Sequence, residues 1–221
     1  VGARRRIDEA GLTAGEVLAV IAVCFAVPIA GSIDAVANGF PSSAFTDAGI
    51  YALVFTELVL ATTALLILRA RGYELAPLLP HPTLRGCVVG VILAFVAALG
   101  ANIITLPFGP EGMAPAQQML EESRLSLGAI ILLAMVNGPF EEVFLLAVLT
   151  DGLRRHGASI ALGVPLLVRV SYHLYQGPTA ALWVGVFGLV LALYWLRYRQ
   201  LWPPVFAHIL WDIVPFVGLA D

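Results

Sequence analysis

Apolar residues run along this chain in blocks of helix-spanning length, broken by short clusters of arginine, proline, glycine and acid. The blocks are Val17–Ile33, Ile50–Leu68, Cys87–Phe108, Leu125–Thr150, Ala158–Leu174, Thr179–Leu196 and Leu201–Leu219. A helix needs ~20 apolar residues to cross the hydrocarbon core, and Cys87–Phe108 offers a charge-free run of that length. Glu74–Pro82, rich in proline, reads as a loop, and the acidic stretch Glu111–Arg124 as a second loop carrying a short interfacial helix. The pattern predicts an all-α, polytopic transmembrane helix bundle of about seven spans, eight if an interfacial or broken helix counts. Residues 1–221 form a single membrane domain, with no repeat of fixed period and no low-complexity tract. Gly86-x-x-x-Gly90 predicts a small-residue face that lets another helix approach closely.

Composition agrees with that pattern. Sixty per cent of residues are hydrophobic and 12% charged, and the mean hydropathy of +0.91 exceeds what a soluble domain of this size can hide. The basic start ahead of Val17–Ile33 has the outline of a signal peptide. Asp8, Glu9 and Glu16 make the leading region long and acidic, however, so the block reads as a retained span. Cys24 and Cys87 fall inside spans at a spacing that suits neither metal nor disulfide work.

All twelve basic residues are arginine, which points to GC-rich bacterial coding and a bacterial inner or plasma membrane. Their placement sets an orientation. With the N-terminus cytoplasmic, Arg4, Arg5, Arg6, Arg69, Arg71, Arg85, Arg154, Arg155, Arg197 and Arg199 all lie inside, as the positive-inside rule expects. Arg124 then lies outside, and Arg169 is within the membrane.

Three polar islands interrupt the apolar blocks: Glu141-Glu142, His173 in Tyr172-His-Leu-Tyr175, and His208 with Asp212. A charge at the bilayer centre costs roughly 2.5–3.5 kcal/mol on insertion scales, and the first island holds two side by side. Consecutive helical residues point about 100° apart, so one glutamate is expected to do chemistry and the other to anchor it. A glutamate in a low-dielectric pocket can take and return a proton near neutrality. His208 and Asp212, at i and i+4, share a helical face, so Asp212 could orient the imidazole. Counting from the arginine-rich ends at ~1.5 Å per residue places Glu141 about 14 Å and His208 about 11 Å deep, while His173 lies deeper. Glu57 and Arg169 are the remaining intramembrane charges; Arg169 could reach either Glu142 or Glu57.

These islands resemble the motifs of the CPBP intramembrane proteases, the family that includes CAAX prenyl proteases and bacteriocin-processing or immunity relatives. The resemblance covers residues 138–213. The E-E-x-x-x-R motif corresponds to Glu141-Glu142-Val-Phe-Leu-Leu146, with leucine in place of arginine. F-x-x-x-H corresponds to Arg169-Val-Ser-Tyr-His173, with arginine in place of phenylalanine, and H-x-x-x-N/D to His208-Ile-Leu-Trp-Asp212. The resemblance implies an intramembrane endopeptidase, open toward the cytoplasm, that cleaves a membrane-associated peptide or protein substrate within the lipid bilayer. No nucleic acid is expected as a partner. It further implies Glu141 as the base that activates water, His173 as its partner, Glu142 as its anchor, and His208 with Asp212 orienting water or the oxyanion. A divalent metal such as zinc on Glu141, His173 and His208 would suit a metalloprotease, but no H-E-x-x-H is present, and metal-free glutamate catalysis fits equally. Two rival readings remain. One is a catalytically inactive family member acting as a membrane scaffold or immunity protein, raised by the two motif departures. The other is a proton-coupled transporter, against which stands the lack of an inverted repeat.

Overall fold

Four of the apolar blocks begin at a helix start fixed by a side chain, Thr13, Thr46, Thr83 or Ser126. The computed structural model describes residues 4–41 and 44–216. A single turn, α1 (Ile7–Ala10), leads into α2 (Ala14–Ala37). Glu16 N donates to Thr13 Oγ1 at 3.3 Å while Thr13 N donates to Glu16 Oε2 at 2.8 Å. This reciprocal cap satisfies donors that the first helical turn leaves free. Thr46 and Thr83 cap α3 (Asp47–Ala70) and α4 (Leu84–Thr105) with their side chains. The expected helix within the acidic loop is α5 (Ala114–Glu122), and Ser126 caps α6 (Leu127–Glu142).

Beyond Glu142 the helix widens into a π-helical stretch, Val143–Thr150, and ends in a short α7 (Asp151–Leu153). Thr150 Oγ1 donates to the Leu145 carbonyl five residues back at 2.9 Å, a spacing that matches the wider turn. Such turns recur at functional sites. The chain continues as α8 (Ala158–His173), α9 (Pro178–Tyr198) and α10 (Trp202–Ile213). Gly157 and Gly177, at φ 95° and 93°, precede α8 and α9; this backbone geometry is open to glycine without strain and turns the chain between spans.

Among the described residues six helices are long and apolar enough to cross a membrane, so the chain is a multi-pass helical membrane protein. The seventh apolar block is represented there by a shorter helix. Helix α10 has 12 residues, about 18 Å at the usual rise, and hands over to a tight turn at Val214–Phe216. Pro203, Pro204 and Pro215 bound the run, so apolar content alone overstated its helical length. The end of the block Leu201–Leu219 beyond residue 216 lies outside the described residues, as do the first three residues of the basic tail.

The stretch from α6 through its π-helical extension is the centre of the bundle. In its spanning window 61% of residues are buried, against 17% in that of α4, whose remaining sides face lipid. Helix α4 meets α10 through the glycine face expected from the sequence: a Cβ at Gly90 would lie 2.8 Å from the Pro203 carbonyl, and one at Gly86 2.5 Å from Trp202.

Arginines mark one end of the bundle. There Arg5 Nη2 donates to the Arg71 carbonyl at 3.0 Å, Arg155 Nη2 to the Leu12 carbonyl at 2.7 Å, and Arg199 pairs with Asp151. Tyr73 Oη fastens the same end, donating to the Gly11 carbonyl at 2.9 Å and to Glu16 Oε2 at 3.0 Å. Burial, and then donation to Glu16, raise the Tyr73 phenol above the usual tyrosine range. At the opposite end Arg124 N donates to the Phe45 carbonyl at 3.2 Å.

Candidate active site

Adjacent positions on α6 send Glu141 and Glu142 into different surroundings. Glu142 is fully buried. Its Oε1 accepts from Arg169 Nη2 of α8 at 2.6 Å and lies 2.6 Å from His208 Nδ1 of α10. Because a carboxylate paired with guanidinium acts as an acceptor, the His208 proton is assigned to Nδ1. Helix α9 makes the room: a Cβ at Gly188 would stand 2.6 Å from Arg169 Cδ. The Phe187 ring packs against both groups, 5.6 Å from Arg169 Cζ and edge-on to His208 at 5.2 Å. Arg169 therefore pairs with Glu142 and not with Glu57. Leu146, where the first motif has arginine, packs in the core.

Glu141 faces the other way. Its Oε2 accepts a short hydrogen bond from Tyr172 Oη, with Arg169 Nη1 at 3.7 Å and His208 Nε2 at 3.9 Å. Asp212 stands 3.6 Å from His208 Nε2, too far for a hydrogen bond, and instead accepts from Asn137 Nδ2 at 3.0 Å. The imidazole is thus held by Glu142 more closely than by the Asp212 of its own helix. His173 closes α8 with its ring 4.5 Å from that of Tyr172. Its Nδ1 is enclosed without a hydrogen-bond partner, and no hydrogen bond or ion pair joins it to the carboxylates among the described residues.

A cavity of about 840 Å³ brings these groups together. Its polar lining includes Glu141, His208, Asp212, His173, Asn137 and Glu57, together with Arg169 and Tyr172. Phe45, Met113, Met119, Tyr175 and Phe216 line it toward the end away from the arginines. Val27 and Leu53, which also line it, are 65% and 39% exposed, so it reaches the bundle surface at the α2–α3 seam. The expected opening toward the arginine-rich end is corrected. Counting residues from that end placed Glu141 and His208 at one depth, and they do share a cluster, but a depth says nothing about which end a cavity meets.

Tyr172 and Asn137 were not expected as site residues. Each carried a signal: Tyr172 lies three residues after Arg169 and Asn137 four before Glu141, spacings that put both pairs on one helical face. Glu141, Glu142 and His208 each offer a ligand atom, all within 4.8 Å of one another. His173, expected in that set, is not part of it.

The family described as type II CAAX prenyl endopeptidase Rce1-like matches residues 123–214. The likeness is confined to that segment, which is less than half of the chain. The family is a protease family, and the matched segment holds all three polar islands, whereas the Glu57 wall of the cavity precedes it. No curated protein and no solved structure matches the chain.

Proposed function

We propose that the chain is an intramembrane endopeptidase that hydrolyses a peptide bond of a membrane-associated substrate, with Glu141 as the general base. The observation that carries this reading is the division of labour between neighbours: Glu142 is sealed behind the wall by Arg169 and His208, while Glu141 lines the cavity. Glu141 takes a proton from water, the water oxygen attacks the scissile carbonyl, and the same carboxyl returns the proton to the leaving nitrogen as the C–N bond breaks. Tyr172 fixes the rotamer of Glu141. His208 Nε2, Asp212 with Asn137, and His173 line the cavity where the attacking water would sit, and acceptors held in place there orient its protons.

The residues present do not suit a catalytic zinc. Zinc sites of that kind take three protein ligands and keep one position open, but a permanently charged guanidinium sits 2.6 Å from Glu142 and 3.7 Å from Glu141. We therefore favour the metal-free glutamate route. Glu141→Gln, nearly isosteric, is expected to lower turnover of a membrane-anchored peptide by about 10²–10⁴-fold, the usual worth of a general base, while leaving thermal unfolding in detergent unchanged. Full turnover in that variant would remove the proposed base.

The arginine-rich end is the cytoplasmic one in this reading, N-terminus included, because positive charge flanking spans is retained inside. The cavity then faces the opposite leaflet and the exterior. In intact cells an impermeant thiol reagent should label a cysteine placed at Met113 and spare one placed at Arg154. The reverse pattern would turn the cavity toward the cytoplasm.

A further inference from the structure

Glu57 of α3 lines the same cavity as Glu141 and Asp212. It is 6% exposed and follows Ile50 and Val54 along the buried stripe of its helix. Its Oε2 is enclosed without a hydrogen-bond partner, and among the described residues no hydrogen bond or ion pair reaches the side chain. The described cation at this depth, Arg169, is held by Glu142. His208, the other candidate, has its Nδ1 on the same carboxylate. A buried carboxylate without a cation is unfavourable, and an ionisable group kept inside the membrane at that cost is a functional candidate. Around it the cavity wall is apolar and aromatic, with Phe25, Leu53, Leu60 and Leu133. Such walls suit the aliphatic stem of a lysine or arginine, which buries its methylenes and carries its charge at the tip.

We propose that Glu57 is a specificity-determining residue that receives a basic side chain of the peptide substrate, seating the scissile bond against Glu141. The proposal rests on the endopeptidase reading of the same cavity. Glu57, Glu141 and Asp212 line the same cavity, so a lysine or arginine entering it meets acceptors, whereas an acidic side chain meets other acids.

The test uses the purified full chain in detergent with membrane-anchored peptides that differ at one position, lysine against norleucine against glutamate. Wild type is expected to cleave the lysine peptide at least about tenfold faster in kcat/KM than the norleucine one, the worth of a charge-assisted hydrogen bond. Glu57→Gln should bring the lysine-to-norleucine ratio of kcat/KM down to about one, and Glu57→Lys should favour the glutamate peptide. A lysine preference that persists in Glu57→Gln, or none in wild type, overturns the proposal. Binding of the same peptides by fluorescence anisotropy separates it from the protease reading. If no peptide is cut but lysine peptides bind in a Glu57-dependent manner, the endopeptidase reading fails and Glu57 is left as a receiving site for a basic side chain without a role in cleavage. Equal binding of all three peptides, with a thermal shift by added salt that Glu57→Gln abolishes, would assign the site to an inorganic cation and refute it.

Discussion

Glu16 and Glu57 are buried to almost the same degree on neighbouring helices, 7% and 6% exposed, yet one is saturated and the other has nothing. At the arginine-rich end Glu16 accepts from Thr13 N at 2.8 Å, Thr13 Oγ1 at 2.9 Å, Tyr73 Oη at 3.0 Å and Arg71 Nε at 3.2 Å. At the cavity end Glu57 has no such partner among the described residues. The same contrast recurs one residue apart on α6, where Glu142 is sealed in an ion cluster and Glu141 lines the cavity. Polar groups that hold the fold are paired within the chain, and polar groups left facing the cavity are those available to a substrate. Breaking a pair of the first kind should therefore unfold the protein, and altering a group of the second kind should change only what it does.

The sharpest way to break this contrast is to turn Glu142 from the first kind into the second. Arg169→Ala leaves a fully buried carboxylate with only His208 beside it, and losing one partner of a buried ion pair costs about 3–5 kcal/mol. A large fall in thermal unfolding temperature in detergent is expected, with activity lost alongside it. If Arg169→Ala unfolds at the wild-type temperature, the sealed cluster contributes nothing and the contrast collapses.

A milder strain on the same cluster comes from its neighbour. Gly188→Ala places a methyl 2.6 Å from Arg169 Cδ and 2.9 Å from its Nε, so the guanidinium must shift off Glu142 or the helices must part. Overpacking of this kind costs about 1–3 kcal/mol. The expected loss of stability is smaller than for Arg169→Ala, and in the double variant the glycine effect should shrink to what the contact with Leu166 Cδ2 at 3.2 Å leaves, because the Arg169 atoms are gone. An additive double variant would mean that Gly188 serves α8–α9 packing and not Arg169.

Much of this was legible in the residues. The apolar blocks gave six of the expected spans, Gly86 and Gly90 marked a face for close helix contact without naming the partner, and Arg169 was left between Glu142 and Glu57. What escaped was rotation about helix axes. In a soluble helix the polar side identifies solvent and so fixes which face is inward, but a membrane helix is apolar toward lipid and toward its neighbours alike. Hydropathy therefore could not say that Tyr172 turns onto Glu141, that Asn137 holds Asp212, or that Glu57 faces the cavity. The cavity's end was hidden for a related reason: Met113, Met119 and Phe45 belong to loops whose apolar residues look unremarkable until they are seen to line it. The length of α10 escaped because its bounding prolines interrupt helix without interrupting hydropathy.

The smallest expected effect sharpens the contrast from the arginine-rich end, where groups should bear on stability alone. Tyr73→Phe removes two hydrogen bonds, to the Gly11 carbonyl and to Glu16, each worth about 0.5–1.5 kcal/mol net, and should lower the unfolding temperature while leaving cleavage at neutral pH unchanged. The loss should also depend on pH in a defined direction. Both bonds need the phenol proton, and burial with donation to Glu16 raises the pKa of Tyr73 in the folded chain. A group whose folded pKa lies above its unfolded value stabilises fully below the unfolded value, about 10 for tyrosine, and loses that contribution as pH rises through the folded one. The gap in unfolding temperature between wild type and Tyr73→Phe should therefore be constant at neutral pH and close above about pH 10, because deprotonated Tyr73 would set a second negative charge against Glu16. Other tyrosines titrate in both proteins and cancel in the difference. A gap that stays open at high pH, or a Tyr73→Phe variant that keeps its stability but loses cleavage, would place function at the end where only pairing is expected.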